Sequence, residues 1–136
     1  MSASSKSSGK QPPVIFVVDD NPDLTKLAEM VLTMEGYQCR TFSDPQEVVK
    51  VFKKIKRFPD LLLTDYDMGS MNGLELIKIC RMKAPHLKTL LVSGTVQASM
   101  VLRHPVKVDQ FLSKPYQPKQ LSALVKSLLA EDASPV

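Results

Sequence analysis

Short apolar runs that stop abruptly at a polar residue are the feature that most constrains the fold of this chain. The first run, residues 14–18, is entirely apolar and is followed at once by Asp19 and Asp20. A strand that is apolar at every position is buried on both faces, as in a parallel sheet covered by helices on both sides. We therefore predict an α/β fold with polar residues at the carboxyl ends of its strands.

The same pattern recurs along the chain. One later run ends in Asp65, another is followed by Ser93, and the last delivers Lys114. Strands are predicted at 14–18, 38–42, 61–65, 89–92 and 108–112.

Helical periodicity fills the intervals between these runs. Asn21 suits the N-cap of the first helix, Pro22 suits its first turn, and Gly36 offers a stop. Ser43 or Asp44 is expected to cap the second helix. The third is predicted at about 74–82 and a short fourth at about 96–102. Residues at the spacing of an amphipathic helix are Leu24, Leu27, Ala28, Val31 and Leu32 in the first, Val48, Val49, Phe52 and Ile55 in the second, and Leu121, Leu124, Val125, Leu128 and Leu129 in the fifth.

Length and composition indicate one globular domain. Of 136 residues, 43% are hydrophobic and 24% charged. We expect a disordered leader over 1–12, the folded domain over 13–131 and a frayed end over 132–136. No apolar run approaches the roughly 18 residues of a membrane span, so a cytoplasmic protein without a membrane partner is expected.

The charged residues and cysteines give no further sign of a binding site. A net charge of +4 is too small to demand nucleic acid. We expect the basic cluster near the end of the second helix to be a solvated face, and the two histidines to be solvated too. Cys39 and Cys80 lack the CxxC spacing of a metal or redox site and lie within apolar patterns, so we expect both to be buried as small hydrophobic residues. The basic cluster consists of Lys50, Lys53, Lys54, Lys56 and Arg57.

Polar residues at several strand ends of an open parallel sheet meet in one crevice. Three carboxylates there, from Asp19, Asp20 and Asp65, would repel one another unless a divalent cation neutralised them, and an oxygen-only ligand set suits Mg²⁺. Asp65 would serve as a nucleophile toward phosphorus, and Ser93 and Lys114 would hold phosphoryl oxygens. We expect Lys114 to gain a partner only when those oxygens arrive.

The sequence resembles the receiver domain of two-component response regulators over about residues 13–130. The matching segments are VVDDNP, LLLTDYDMGSMNG, LLVSG and FLSKP, in the family's order. The resemblance implies a flavodoxin-like, doubly wound sheet of five parallel strands in the order 2-1-3-4-5.

The resemblance also implies roles and partners. The phosphoryl donor would be a histidine kinase or a histidine phosphotransfer protein, and the domain would catalyse its own phosphorylation and dephosphorylation without acting as an enzyme on other substrates. Output would pass to an unknown protein through the face formed by helix four, strand five and helix five. A stand-alone receiver is expected, and the sequence does not decide whether it forms a homodimer. The implied roles are phosphoacceptor for Asp65, Mg²⁺ ligands for Asp19, Asp20 and the backbone carbonyl of Asp67, phosphoryl contacts for Ser93 and Lys114, and switch positions for Ser93 and Phe111.

Two residues and one turn depart from the family's pattern. Gly69 replaces the usual proline after the acceptor, which suggests a more mobile loop. Gln110 stands where a small residue is common, and HPVKVDQ lacks the usual Gly-Ala before strand five. Because Gln110 and this turn fall on the output face, the identity of the partner cannot be inherited from the family.

Two other functions remain as alternatives. Asp65, Tyr66 and Asp67 fit the DxD motif of haloacid-dehalogenase-like phosphatases, although those enzymes carry that motif on their first strand. A scaffold that works without phosphorylation is the second alternative, and it is disfavoured because every expected site residue is present.

Overall fold

The computed structural model describes residues 11–133. Most of the predicted leader and the last three residues of the predicted frayed end lie outside that range. The described chain alternates strand and helix throughout.

Five parallel strands form one sheet in the order β2-β1-β3-β4-β5, which confirms the predicted fold class. The chain moves outward from β1 to β2 and then returns to place β3 on the other side of β1. This reversal opens a crevice at the carboxyl ends of β1 and β3. The strands are β1 (Val14–Val18), β2 (Gln38–Phe42), β3 (Leu61–Asp65), β4 (Lys88–Ser93) and β5 (Gln110–Ser113).

Helices cover both faces of the sheet. The first and last helices pack together on one face, and the second and third pack together on the other, where the fourth also lies. The helices are α1 (Pro22–Met34), α2 (Pro45–Phe52), α3 (Gly73–Lys83), α4 (Ala98–Arg103) and α5 (Pro118–Ala133).

Two apolar cores result from the alternation of side chains along each strand. In β1, Ile15 and Val17 enter the core beneath α1 and α5, whereas Phe16 and Val18 enter the opposite core. A central strand therefore needs an apolar residue at every position, which explains the uninterrupted runs in the sequence.

The predicted caps are in place. The Asn21 side chain accepts a hydrogen bond from the Asp23 backbone N–H at 3.0 Å. Asp44, rather than Ser43, caps α2 by accepting from the Gln46 N–H at 2.9 Å. These side chains satisfy N–H groups that a helix start leaves without partners.

Several predicted boundaries shift for local reasons. The helix α2 ends at Phe52, so Ile55 lies beyond it, although it still packs on the core. The fourth helix begins at Ala98 rather than at residue 96, because the Ser93 hydroxyl accepts from the Val96 N–H at 3.0 Å and holds the preceding residues in a turn.

The fifth strand begins at Gln110 instead of residue 108. The preceding residue, Asp109, accepts hydrogen bonds from the Thr89 N–H at 2.8 Å and from Arg81 Nη2 at 2.9 Å. These side-chain contacts replace the expected start of the ladder, which begins with Gln110 opposite Leu90.

Only one cysteine is buried as predicted. Cys80 is inaccessible inside α3, but Cys39 is half-buried because it lies on β2, an edge strand that has a neighbour on one side only.

The close approach of α3 to β3 depends on Gly73. A Cβ at this position would collide with the Asp65 carbonyl oxygen and lie 2.7 Å from Leu91 Cδ1. We expect Gly73→Ala to lower the free energy of unfolding, measured by chemical denaturation, by about 1–3 kcal/mol. Gly94→Ala is the control, since its Cβ would come no closer than 3.5 Å to Lys114, and it should change stability by under about 0.5 kcal/mol. Equal stabilities for the two variants would contradict the prediction.

Candidate functional site

Three carboxylates meet at the carboxyl edge of the sheet. Asp19 follows β1 directly and Asp65 is the last residue of β3. Asp19 and Asp65 are only 8% and 6% exposed, whereas Asp20 is exposed. One oxygen from each carboxylate lies within 4.8 Å of the other two. The structure therefore brings together the acidic residues that the sequence placed at two strand ends.

Backbone contacts hold Asp19 in the crevice. Its N–H donates to the Phe42 carbonyl oxygen at 3.1 Å, which extends the pairing of β1 with β2 by one residue. Its Oδ1 accepts from the Asn21 N–H at 2.9 Å. Asp19 therefore ends the strand and presents its other oxygen, Oδ2, to the site.

Lys114 joins the two buried carboxylates. Its Nζ lies 3.0 Å from Asp65 Oδ1 and 3.2 Å from Asp19 Oδ2. Its backbone N–H donates to the Ser93 carbonyl oxygen at 2.9 Å, which fixes where the side chain starts. The expectation that Lys114 lacks a partner before phosphorylation is wrong, because the strand register already places its ammonium group among the carboxylates.

Burial and the ion pairs of Lys114 act in opposite directions on the pKa values of Asp65 and Lys114. Burial raises the pKa of Asp65, and the nearby Asp19 carboxylate raises it further, against the lowering effect of Lys114. Burial alone would lower the pKa of Lys114, but its bonds to Asp65 and Asp19 outweigh burial and raise that pKa. The folded state therefore favours the charged ammonium and disfavours the charged Asp65.

The donor set fits a hard divalent cation. All three side chains offer carboxylate oxygens, and the exposure of Asp20 leaves one side of the cluster open to water. Mg²⁺ prefers oxygen ligands and keeps several waters, so a partly open carboxylate cluster suits it better than a closed protein cage.

The Ser93 hydroxyl is engaged within its own loop. Ser93 is 1% exposed, and its Oγ accepts from the backbone N–H groups of Thr95 and Val96, each at 3.0 Å. Ser93 therefore organises the turn that leads into α4.

Sequence reasoning missed Thr95. Its hydroxyl lies 2.5 Å from Asp67 Oδ2, which joins the loop after β3 to the loop after β4. The Asp67 side chain is thus occupied outside the carboxylate cluster. The sequence signal for Thr95 was that it lies two residues after Ser93.

Tyr116 was also missed. It lines a small crevice together with Asp19 and Asp65. Burial raises the pKa of its phenol, and the two carboxylates add to this effect against Lys114. The proximity of Tyr116 to Lys114 in the chain was the available signal.

Gly69 adopts a backbone conformation that proline cannot. Its φ is +78°, in the left-handed region, whereas proline is restricted to φ of about −65°. The preceding Met68 is buried and its sulfur lies 3.7 Å from the Thr64 hydroxyl. The backbone of this turn therefore requires a residue other than the family's usual proline at position 69. Greater mobility of the loop stays a prediction.

Phe111 and Gln110 begin β5, and both are half-buried. Phe111 lies opposite Leu91 and packs against the core beneath α2, α3 and α4. Its ring is thus neither free in solvent nor enclosed, and its role as a switch stays a prediction.

Fold and site together define a class: a doubly wound α/β domain with an acidic, oxygen-rich pocket and a lysine at the switch point of its sheet. Residues 15–126 match the family model of the response regulator receiver domain. The chain belongs to this family of two-component signalling domains.

Curated relatives agree with this assignment. The chain is 30% identical over 115 residues to the DNA-binding response regulator MtrA of Mycolicibacterium smegmatis, covering 85% of this chain and 50% of that protein. It is 30% identical over 124 residues to the transcriptional regulatory protein PhoP of Bacillus subtilis, named for alkaline phosphatase synthesis, covering 89% of this chain and 51% of that protein. The chain spans about half the length of these relatives.

Solved structures show the same fold. A CheY-like receiver domain protein from Methanospirillum hungatei superimposes with a TM-score of 0.80 at 25% identity, over 88% of this chain and 95% of that one. A receiver domain from Clostridium thermocellum gives a TM-score of 0.80 at 20% identity, over 89% of this chain and 97% of that one.

Within the described part of this chain, none of the helices has the length and apolar character needed to cross a membrane.

Removal of the Lys114 ammonium group should destabilise the fold, because repulsion among the clustered carboxylates is then no longer offset. We expect Lys114→Met to lower the free energy of unfolding in Mg²⁺-free buffer near neutral pH by about 1–2 kcal/mol, less than for a fully buried pair because the site is partly solvated. Lys119→Met, at an exposed position in α5, is the control and should have little effect. Chemical denaturation measures both.

The pH dependence of that loss has a defined sign. Because the folded state raises the pKa of Lys114, the stability that its charge contributes is complete below the unfolded pKa, about 10.5, and is lost as pH rises through the folded pKa. In Lys114→Met the pKa of Asp65 is raised further, because the ammonium group that lowers it is gone. Asp65 of the variant therefore takes up its proton at a higher pH, and the difference in free energy of unfolding between variant and wild type should shrink as the pH falls. A gap independent of pH would contradict the assigned ion pairs.

Proposed function

We propose that this domain accepts a phosphoryl group on Asp65 from a histidine kinase or a histidine phosphotransfer protein in a Mg²⁺-dependent reaction. One observation supports this most: the buried carboxylate at the end of β3 has an oxygen within 4.8 Å of oxygens from two further carboxylates, and it lies 3.0 Å from an ammonium group. That combination matches what a phosphoryl acceptor needs, which is a cation-binding side and a separate positive charge for the phosphoryl oxygens.

In the proposed step an oxygen of Asp65 attacks the phosphorus of a phosphohistidine. The new P–O bond forms as the P–N bond breaks, and the imidazole leaves with the bonding electron pair. Asp19, Asp20, Asp65 and the Asp67 carbonyl would hold Mg²⁺, which neutralises charge on the acceptor and on the phosphoryl oxygens. Lys114 would exchange part of its contact with Asp65 for a phosphoryl oxygen.

The domain is proposed to catalyse only its own phosphorylation and dephosphorylation. Hydrolysis of the aspartyl phosphate by water returns Asp65 to its starting state and releases inorganic phosphate. The haloacid-dehalogenase alternative is disfavoured by the position of Asp65 on the third strand. The phosphorylation-independent scaffold is disfavoured by the convergence of Asp19, Asp20, Asp65 and Lys114.

Substitution of the acceptor gives the primary test. Asp65→Asn should abolish covalent labelling by acetyl phosphate in Mg²⁺, measured by intact mass, because an amide oxygen is a poor nucleophile. Asp67→Asn is the matched control: it keeps the backbone carbonyl, so labelling should persist. Chelation of the cation by EDTA should prevent labelling of the wild type.

Two results would contradict this proposal. Labelling of Asp65→Asn to the wild-type extent would place the acceptor elsewhere. Repeated turnover of an added phosphomonoester would identify a phosphatase.

Ser93 is proposed to couple the phosphoryl group to the face formed by α4, β5 and α5, where a downstream protein would bind. Its Oγ accepts two backbone N–H groups immediately before α4, and Ser93 pairs with Ser113 on β5. A hydroxyl drawn toward a phosphoryl oxygen would release those N–H groups and vacate space toward Phe111. The same movement would therefore reach both α4 and β5.

Amide NMR spectra with and without beryllofluoride test this coupling. Ser93→Ala should remove most of the beryllofluoride response in α4 and β5, because no hydroxyl is left to move. Ser113→Ala, at the exposed position opposite Ser93, should retain it. A full response in Ser93→Ala, with one unchanged Phe111 rotamer in both states, would exclude the coupling.

A further inference from the structure

A groove of about 530 Å³ lies between α3 and the segment that connects α4 to β5. Its first wall is one face of α3, formed by Leu74, Lys78, Arg81 and Met82. Residues 104–107 form the second wall. None of the lining residues belongs to the acidic site, and the volume falls within the roughly 300–1,000 Å³ typical of ligand sites.

Hydrogen bonds hold the two walls together. The Arg81 guanidinium donates to the Lys107 carbonyl oxygen and, at 2.9 Å, to Asp109. Within the second wall, His104 Nδ1 accepts from the Val106 N–H at 3.1 Å. The groove is therefore built before any ligand arrives, which reduces the ordering cost of binding.

The lining combines an apolar surface with two lysines for which no ion pair is seen in the described part of the chain. Met82 is 77% exposed and Pro105 is exposed on the opposite wall. Among the described side chains, neither Lys78 nor Lys107 has an ion-pair partner. The one acidic lining residue, Glu75, is engaged by the Asn72 N–H at 2.9 Å in the capping box of α3.

We propose that this groove binds an acidic, extended segment of a partner protein, in which an apolar side chain is flanked by Asp or Glu. The apolar side chain would lie against Met82 and Pro105, and its flanking carboxylates would meet Lys78 and Lys107. Methionine adapts readily to different partner side chains. A nucleic acid fits less well, because no Phe, Tyr or Trp lines the groove and the His104 imidazole is the one ring among the lining residues on which a base could stack.

Selection from a display library of short randomised peptides against the full chain tests the proposal. Enriched peptides should carry an apolar residue between acidic ones. Lys78→Glu combined with Lys107→Glu should weaken them by at least about tenfold, equivalent to about 1.4 kcal/mol. Lys53→Glu combined with Lys54→Glu makes the same charge change on exposed residues after α2 and should alter the affinity by less than about twofold.

A second pair of variants tests the apolar contribution to peptide binding. Met82→Ala should weaken the selected peptides several-fold, whereas Met34→Ala, at an 84% exposed position on α1, should not. Amide shifts of the wild type on peptide addition should map to the two walls, a readout that does not depend on any variant. These experiments use no phosphodonor, so their outcome is separate from that of Asp65 labelling.

Any of four results would overturn the proposal. These are failure to enrich peptides, enrichment without acidic residues, equal loss of affinity in the two charge-reversed variants, and shifts outside the groove. Perturbation of the groove by oligothymidine alone would assign it to nucleic acid. Concentration-dependent sedimentation abolished by Met82→Ala would assign it to a second copy of the chain.

Discussion

The ion pairs of Lys114 with Asp19 and Asp65 are the interaction on which the carboxyl edge of the sheet depends. Two nearly buried carboxylates and a third close by would repel one another strongly in a medium of low dielectric. The ammonium group, brought from the end of β5, offsets part of that repulsion at contacts of 3.0 and 3.2 Å. One side chain thereby links the ends of β1, β3 and β5.

Such a site requires a rigid support, and the two apolar cores supply it. The inner strands β1, β3 and β4 are buried on both faces, so a one-residue shift of register would move each side chain into the opposite core. The register therefore determines where each strand ends and which polar residue follows. Gly73 adds a close approach of α3 to β3, which leaves little freedom in the backbone beside Asp65.

The sequence was sufficient for features that depend on periodicity. Apolar runs located the strands, and their polar termini identified Asp19, Asp65, Ser93 and Lys114 as candidates before any geometry was known. The sequence placed Lys114 and Asp19, 95 residues apart, in one crevice but did not predict their direct ion pair. The contact between Thr95 and Asp67, 28 residues apart, was not predicted at all. The start of β5 was mispredicted for the same reason, because Asp109 bonds to Thr89 and Arg81 rather than extending the strand.

These contacts bear on how a phosphoryl group could act as a switch. Shifting a two-state population from 1:99 to 99:1 requires about 5.5 kcal/mol of differential binding. The unphosphorylated state already satisfies Lys114 with two carboxylates and Ser93 with two backbone N–H groups. A new contact therefore contributes to the switch only the free energy by which it exceeds the contact that it replaces. At roughly 1.5–3 kcal/mol for each hydrogen bond to a charged group, two to four bonds would be needed even if they replaced nothing, so under the proposed function Ser93 and Lys114 would have to act together.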